Sequence, residues 1–153
     1  VVVTRTANKH QQRCHWLIFT VDLHTKRDVP HIYVGHKSRE DVFKASYEQL
    51  LPLGIGHYAQ YPQDFLQQYT VYGSPSHAVE IEQTITPQIA QVVAASFKGA
   101  SVEIEDNTVY LYIESQRPNE ALLEKMLSNC LWLAETIDSL YTAKASEVSP
   151  YEA

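Results

Sequence analysis

An α+β fold is what this sequence predicts, and three observations carry the prediction. Short runs rich in β-branched and aromatic residues recur along the chain, from Arg13–Leu23 (RCHWLIFTVDL) to Val109–Ile113 (VYLYI). Between them lie stretches with helical apolar spacing, one entered through Thr86-Pro87. A long C-terminal segment then repeats apolar positions three and four apart. The expected architecture is an antiparallel or mixed sheet of about five or six strands with two to four helices, the long C-terminal helix packed on the sheet. One domain is expected over residues 1–145, followed by a disordered tail over 146–153.

In chain order, Val1–Thr6 reads either as an edge strand or as disordered. Arg13–Leu23 carries apolar residues on both alternating faces, which suits a central strand covered at least in part on each side. The polar HTKRD stretch, His24–Asp28, connects it to Val29–His36, and the two runs are expected to pair as an antiparallel hairpin. Ser38 is a good N-cap for a helix carrying Asp41, Val42, Phe43, Tyr47, Leu50 and Leu51, ended by Pro52–Gly56. His57–Tyr61 reads as a short strand, and Tyr69–Tyr72 as another. Over Ala78–Ile85, the spacing of Ala78, Ile81 and Ile85 gives a helix and the alternation with Glu80 and Glu82 a strand; the helix is taken.

Thr86-Pro87 is the sharpest local signal. Threonine caps, and proline fills the first helical position, where its missing N–H costs nothing. Ile89, Val92, Val93 and Phe97 form the buried stripe, and Gly99 supplies the stop after Lys98. Val102 and Ile104 alternate with Glu103 and Glu105, Asp106-Asn107 turns the chain, and Val109, Leu111 and Ile113 alternate back as a hairpin. Pro118-Asn119 opens the last helix, which is expected to run to about Ala143. Its stripe is Leu123, Met126, Cys130, Leu133, Ile137 and Leu140, widened by Leu127, Ala134 and Tyr141.

Composition narrows the function classes. The net charge of −6 opposes a phosphate-binding basic face, so no nucleic-acid partner is expected. No run reaches the length of an apolar membrane span. The chain opens on Val1 rather than Met, and a fragment or processed product of a longer protein is expected, its membrane contact made only through segments absent here. Cys14 and Cys130 are the only cysteines. Buried thiols come first, a disulfide second, and a redox or metal role last, since no CxxC spacing supports it.

Four histidines of the expected first hairpin suggest metal chemistry: His15, His24, His31 and His36. Neutral imidazoles suit Zn²⁺. Yet His31 and His36 stand an odd number of residues apart, so a strand turns them to opposite faces. Scattered histidines are therefore expected, and no metal or cofactor is assigned. The carboxylates Glu80, Glu82, Glu103, Glu105, Asp106 and Glu114 read as a solvated surface, with Glu103 and Glu105 opposite Val102 and Ile104. There is no G-x-S-x-G and no Gly-rich phosphate loop, and no catalytic residue is assigned. Ten tyrosines stand out, with Tyr69, Tyr72, Tyr110 and Tyr112 placed to form an aromatic sheet surface. Trp132 falls among Lys125, Ser128, Asn129, Thr136 and Ser139 on a helical wheel. It is either covered by another segment, such as residues 1–9, or open to a partner, and it is the one candidate contact residue.

Phe65, Tyr69–Tyr72 (YTVY), Ile85-Thr86-Pro87, Val102–Asp106 (VEIED) and Val109–Ile113 (VYLYI) follow one another in an order that resembles a family of uncharacterised, often membrane-associated bacterial proteins. That family is built around a domain of unknown function. HWLIFTVDL and VPHIYVG are compatible with its leading strands. The resemblance covers about a third of the chain and implies a soluble α+β domain, often attached to membrane helices, with no reaction, ligand or catalytic residue to carry over. The expected function is a non-catalytic interaction or sensory domain of a larger membrane-associated protein, with a protein partner or a homo-oligomer. The sequence leaves the side of the membrane open; the cytoplasmic face is the expectation. The alternative is a small hydrolase or metal-dependent enzyme using the histidine-rich first hairpin.

Overall fold

The computed structural model describes residues 2–7, 12–39, 50–57, 59–115 and 117–148, with the side chains of 2–7, 12–15, 39 and 144–148 excepted. The strands are β1 (Val2–Ala7), β2 (Gln12–Asp22), β3 (Ile32–His36), β4 (Leu51–Pro52), β5 (Tyr69–Gly73), β6 (Ser101–Glu105) and β7 (Thr108–Glu114). The helices are α1 (Gln63–Gln68), α2 (Ala78–Thr84), α3 (Pro87–Ser96) and α4 (Glu120–Val148). The strands form one sheet in the order β1-β2-β7-β6-β3-β5-β4, and every pair is antiparallel. The fold is α+β, with six full strands, a two-residue edge strand, and α4 packed on β2 and β7. No helix among the described residues is long and apolar enough to cross a membrane.

The expected hairpin of β2 with β3 does not form. The later β6–β7 hairpin lies between them: Trp16 to Asp22 pairs with Glu114 to Thr108, and Ile32 pairs with Ile104. Adjacent polar loops and extended runs favour a local hairpin on paper, but the pairing partner of β2 comes from the far end of the chain. The connection between β2 and β3 instead passes over the turn of the inserted hairpin, and Asn107 fastens it there. Its side-chain oxygen accepts from Val29 N–H at 2.9 Å, and its amide donates to the Arg27 carbonyl at 2.8 Å. Its carbonyl accepts from Leu23 N–H at 2.8 Å. From α4, Asp138 accepts the N–H groups of His24 and Thr25 at 2.9 Å.

Asp106 and Asn107 both have positive φ, 50° and 55°, the handedness a two-residue hairpin turn needs to match strand twist. Thr86 caps α3 as its chemistry requires, its hydroxyl accepting from Ile89 N–H at 3.2 Å, with Pro87 in the first turn. At the other end the chain enters the left-handed region at Lys98 (φ 49°), one residue before Gly99 (φ 81°), so the stop is shared by both. Ala78–Thr84 is a helix, as the apolar spacing indicated. Val2–Ala7 is an edge strand.

Other local expectations change. The described residues of His57–Tyr61 form no strand, and Leu51 belongs to β4 rather than to a helix. The helix expected to carry Asp41, Val42, Phe43 and Tyr47 falls outside the described residues. Ser38 sits in a 3-10 turn, its hydroxyl 2.6 Å from His36 Nδ1. The last helix runs through Ser146 and Glu147 to Val148, past both Ala143 and the expected start of the tail; residues 149–153 fall outside the description.

One face of the sheet meets the helices. Ile32, Val34, Val71, Val102, Ile104, Val109 and Leu111 are buried there with Phe97 of the α3 end and Met126, Leu133 and Ile137 of α4. Phe65 of α1 stacks between Tyr61 and Tyr69, at ring-centroid distances of 6.1 and 5.3 Å. Tyr69 therefore belongs to this core, not to the tyrosine surface expected with Tyr72. The opposite face carries a second buried cluster: Trp16, Tyr33, Tyr72 and Tyr112.

Candidate functional site

The polar chemistry concentrates on that second face. Strand alternation puts Glu103 and Glu105 of β6 on one side, opposite Val102 and Ile104. The pairing of Ile32 with Ile104 and Tyr33 with Glu103 then brings His31, one residue ahead of β3, level with Glu105. His31 Nε2 lies 2.6 Å from Glu103 Oε2 and 4.0 Å from Glu105 Oε2. An ionised carboxylate only accepts, so the proton of the shorter contact sits on Nε2. On the next strand, the Tyr112 hydroxyl donates to Glu103 Oε1 at 2.7 Å. Both oxygens of Glu103 are therefore engaged, from two different neighbouring strands.

Glu103 is only 3 % exposed, which corrects the expectation that these glutamates lie on a solvated surface. Alternation identified their face correctly, but it does not reveal whether that face is covered. Desolvating a carboxylate is tolerable only with charge-assisted hydrogen bonds, and His31 and Tyr112 supply them. Glu105, by contrast, is exposed. Beside it opens a cavity of about 480 Å³, lined by Asp28, Val29, His31, Glu105, Asp106 and Asn107. The tyrosine surface expected for Tyr72, Tyr110 and Tyr112 is present here, with Tyr110 and Tyr112 stacked at 6.1 Å and Tyr33 beside Tyr72 at 5.8 Å.

His36 lies on the other face of the sheet, as parity requires. Its ring meets Tyr69 edge-on at 5.1 Å, and its N–H donates to Ser101 Oγ at 3.0 Å. It borders a wider cavity of about 610 Å³, with Ser38, Gln68, Lys98, Gly99, Ile113 and Glu114. His24 is exposed at the β2–β3 connection, and the His15 side chain falls outside the description. Among the described side chains, His24, His31 and His36 do not gather; His31 meets two carboxylates instead.

The other acidic and thiol candidates hold the fold together. Glu82 is buried, and its Oε1 accepts from Gly56 N–H at 3.0 Å. The Tyr141 hydroxyl donates to Glu80 Oε1 at 3.1 Å and lies 2.9 Å from Thr84 Oγ1. Burial above all pushes the Tyr141 phenol up to about 12, with the Glu80 charge acting in the same direction. Cys130 is a free, buried thiol under β7, and burial raises it from 9.0 to about 11; the Cys14 side chain falls outside the description.

On α4 the buried stripe is Met126, Cys130, Leu133, Ala134, Ile137 and Tyr141. Leu123 and Leu127, expected within it, are exposed, and Leu131 joins them to form a row at four-residue spacing. The correction has a geometric cause: a stripe drawn at spacings of three and four drifts around a long helix that lies on a sheet of limited width. Trp132 is half-buried and meets Phe97 edge-on at 6.3 Å, so it is a neighbour of the α3 end rather than a lone indole on a polar face.

No protein-family model matches the chain, and no curated protein does. What fold and site define is an α+β domain with a histidine–glutamate–tyrosine linkage around the buried Glu103 on one sheet face and an exposed leucine row on its long helix.

Proposed function

We propose that this chain is a non-catalytic interaction domain, part of a larger membrane-associated protein, whose copies meet through the outer face of α4. The row Leu123, Leu127 and Leu131 carries the reading: three leucines, each at least 40 % exposed, aligned along one ridge of a helix. The row is symmetric about Leu127, so an antiparallel second copy sets Leu123 against Leu131 and Leu127 against its own counterpart. In that arrangement Glu135, next along the ridge, comes opposite Asn119 at the other end. A surface that fits its own copy is what a two-fold contact requires.

Three leucines fall well short of the roughly 800 Å² per partner of a stable interface. The contact is accordingly weak between free chains and becomes effective when a membrane-bound parent concentrates them. The resemblance of the Phe65–Ile113 stretch to membrane-associated proteins supports that setting.

Analytical ultracentrifugation of the chain tests the reading, first free and then tethered through a C-terminal histidine tag to nickel-lipid vesicles with a proximity-fluorescence readout. Association that is weak in solution, strengthens on vesicles and is abolished by Leu127→Lys is the expected result. Equal association of the wild-type and Leu127→Lys chains on vesicles would overturn it.

A further inference from the structure

We propose that His31, Glu103 and Glu105 form a binding site for one divalent transition-metal ion of the Zn²⁺ class. One imidazole nitrogen and two carboxylate oxygens, each from a separate residue, all lie within 4.8 Å of one another. Tetrahedral bonds of 2.0–2.2 Å place neighbouring ligand atoms roughly 3.4 Å apart. The observed 2.6 and 4.0 Å bracket that spacing, so small side-chain rotations suffice and the strands need not move. The two carboxylates are fixed by the period-two geometry of β6, and His31 by its position level with Glu105 at the start of β3.

Three further features fit a metal centre rather than an incidental ion pair. Tyr112 donates to Glu103 Oε1, leaving Oε2 to face His31; ligating carboxylates are usually oriented by such an outer hydrogen bond. The ligands grade from the buried Glu103 through the half-buried His31 to the exposed Glu105, so the fourth position opens towards solvent. The cavity of about 480 Å³ gives an entry path, and its walls add the carboxylates of Asp28 and Asp106. That wall attracts cations, whereas the imidazole selects among them, favouring Zn²⁺, Fe²⁺ or Ni²⁺ over Ca²⁺ and Mg²⁺. On binding, Nε2 gives up its proton to solvent and Nδ1 takes one up, so the ring stays a neutral imidazole and its freed Nε2 lone pair forms the bond to the metal. This site stands independently of the α4 contact.

The test uses the full chain, treated with chelator, exchanged into clean buffer and titrated with Zn²⁺ by calorimetry, then with Co²⁺ to read ligand-field absorbance. One equivalent of Zn²⁺ is expected, with visible Co²⁺ bands of a site containing nitrogen and oxygen ligands. His31→Asn and Glu105→Gln each weaken it at least tenfold, while His36→Asn on the opposite face leaves it unchanged. Glu105 is exposed, so Glu105→Gln stays informative even if substitutions at the buried Glu103 impair folding; circular dichroism confirms the fold of each variant. No binding at one equivalent, undiminished Zn²⁺ affinity in both His31→Asn and Glu105→Gln, or preference for Ca²⁺ over Zn²⁺ would each sink the proposal.

Discussion

Both faces of the sheet carry a buried cluster, but different forces hold the two. On β6, Ile104 faces the helices and is fully covered, while Glu103, the residue before it, is almost as deeply covered on the other side. The first face is a hydrocarbon core of Val, Ile and Leu closed by Met126, Leu133 and Ile137. The second is built from indole, phenols, an imidazole and a carboxylate. Water release and dispersion stabilise the first without direction; hydrogen bonds to a charged group stabilise the second and depend on geometry. A packed hydrocarbon core tolerates exchange for a similar shape, whereas a buried carboxylate does not tolerate the loss of a partner.

The largest effect expected from this contrast is on the helix-covered face. Leu133→Ala should destabilise the chain by about 3 kcal/mol in urea unfolding, and Leu133→Met by less than about 1.5 kcal/mol. On the other face, Tyr112→Phe conserves shape and removes only the hydroxyl, yet it should cost about 1.5–3 kcal/mol because a desolvated carboxylate loses a donor. A double-mutant cycle with Glu103→Gln should show coupling of at least about 0.5 kcal/mol. Additive effects in that cycle would erase the distinction between the faces.

The smallest effect concerns the thiol under β7. Cys130 holds its proton to about pH 11 in the folded chain, against 9.0 ordinarily, so between these values the unfolded chain binds fewer protons and stability falls as pH rises. Only below about pH 8 is the thiol essentially protonated in both states, contributing no slope. In Cys130→Ala the decline should begin only with the tyrosines, above about pH 10. Urea midpoints measured at half-unit steps from pH 8 to 11 would show it, and identical curves would refute it.

Local chemistry was legible in the sequence wherever the deciding contacts lie within a few residues. The Thr86 cap, the turn at Asp106-Asn107 and the helix over Ala78–Thr84 all follow from neighbours in the chain. The separation of β2 from β3 was not legible, because it depends on β7, roughly a hundred residues away from β2. Nor was the burial of Glu103: V-E-I-E reads identically whether the glutamate face is bare or covered. The parity of His31 and His36 was readable and holds, yet it spoke against a cluster of histidines while leaving unseen the carboxylates that await His31 on β6. On α4 the spacing of leucines showed a wide apolar surface but not where the sheet beneath it stops.

The insertion of β6–β7 between β2 and β3 also bears on how the chain is made. β2 and β3 emerge from the ribosome early, but the hairpin that joins them spans Ser101–Glu114 and emerges late. Until then the first half of the chain has no means of closing its central sheet, and β2 and β3 each present an unsatisfied edge. Folding is therefore largely deferred until most of the described chain has been synthesised. A nascent chain paused before residue 101 would be a client for chaperones, held in waiting for the two strands that complete it.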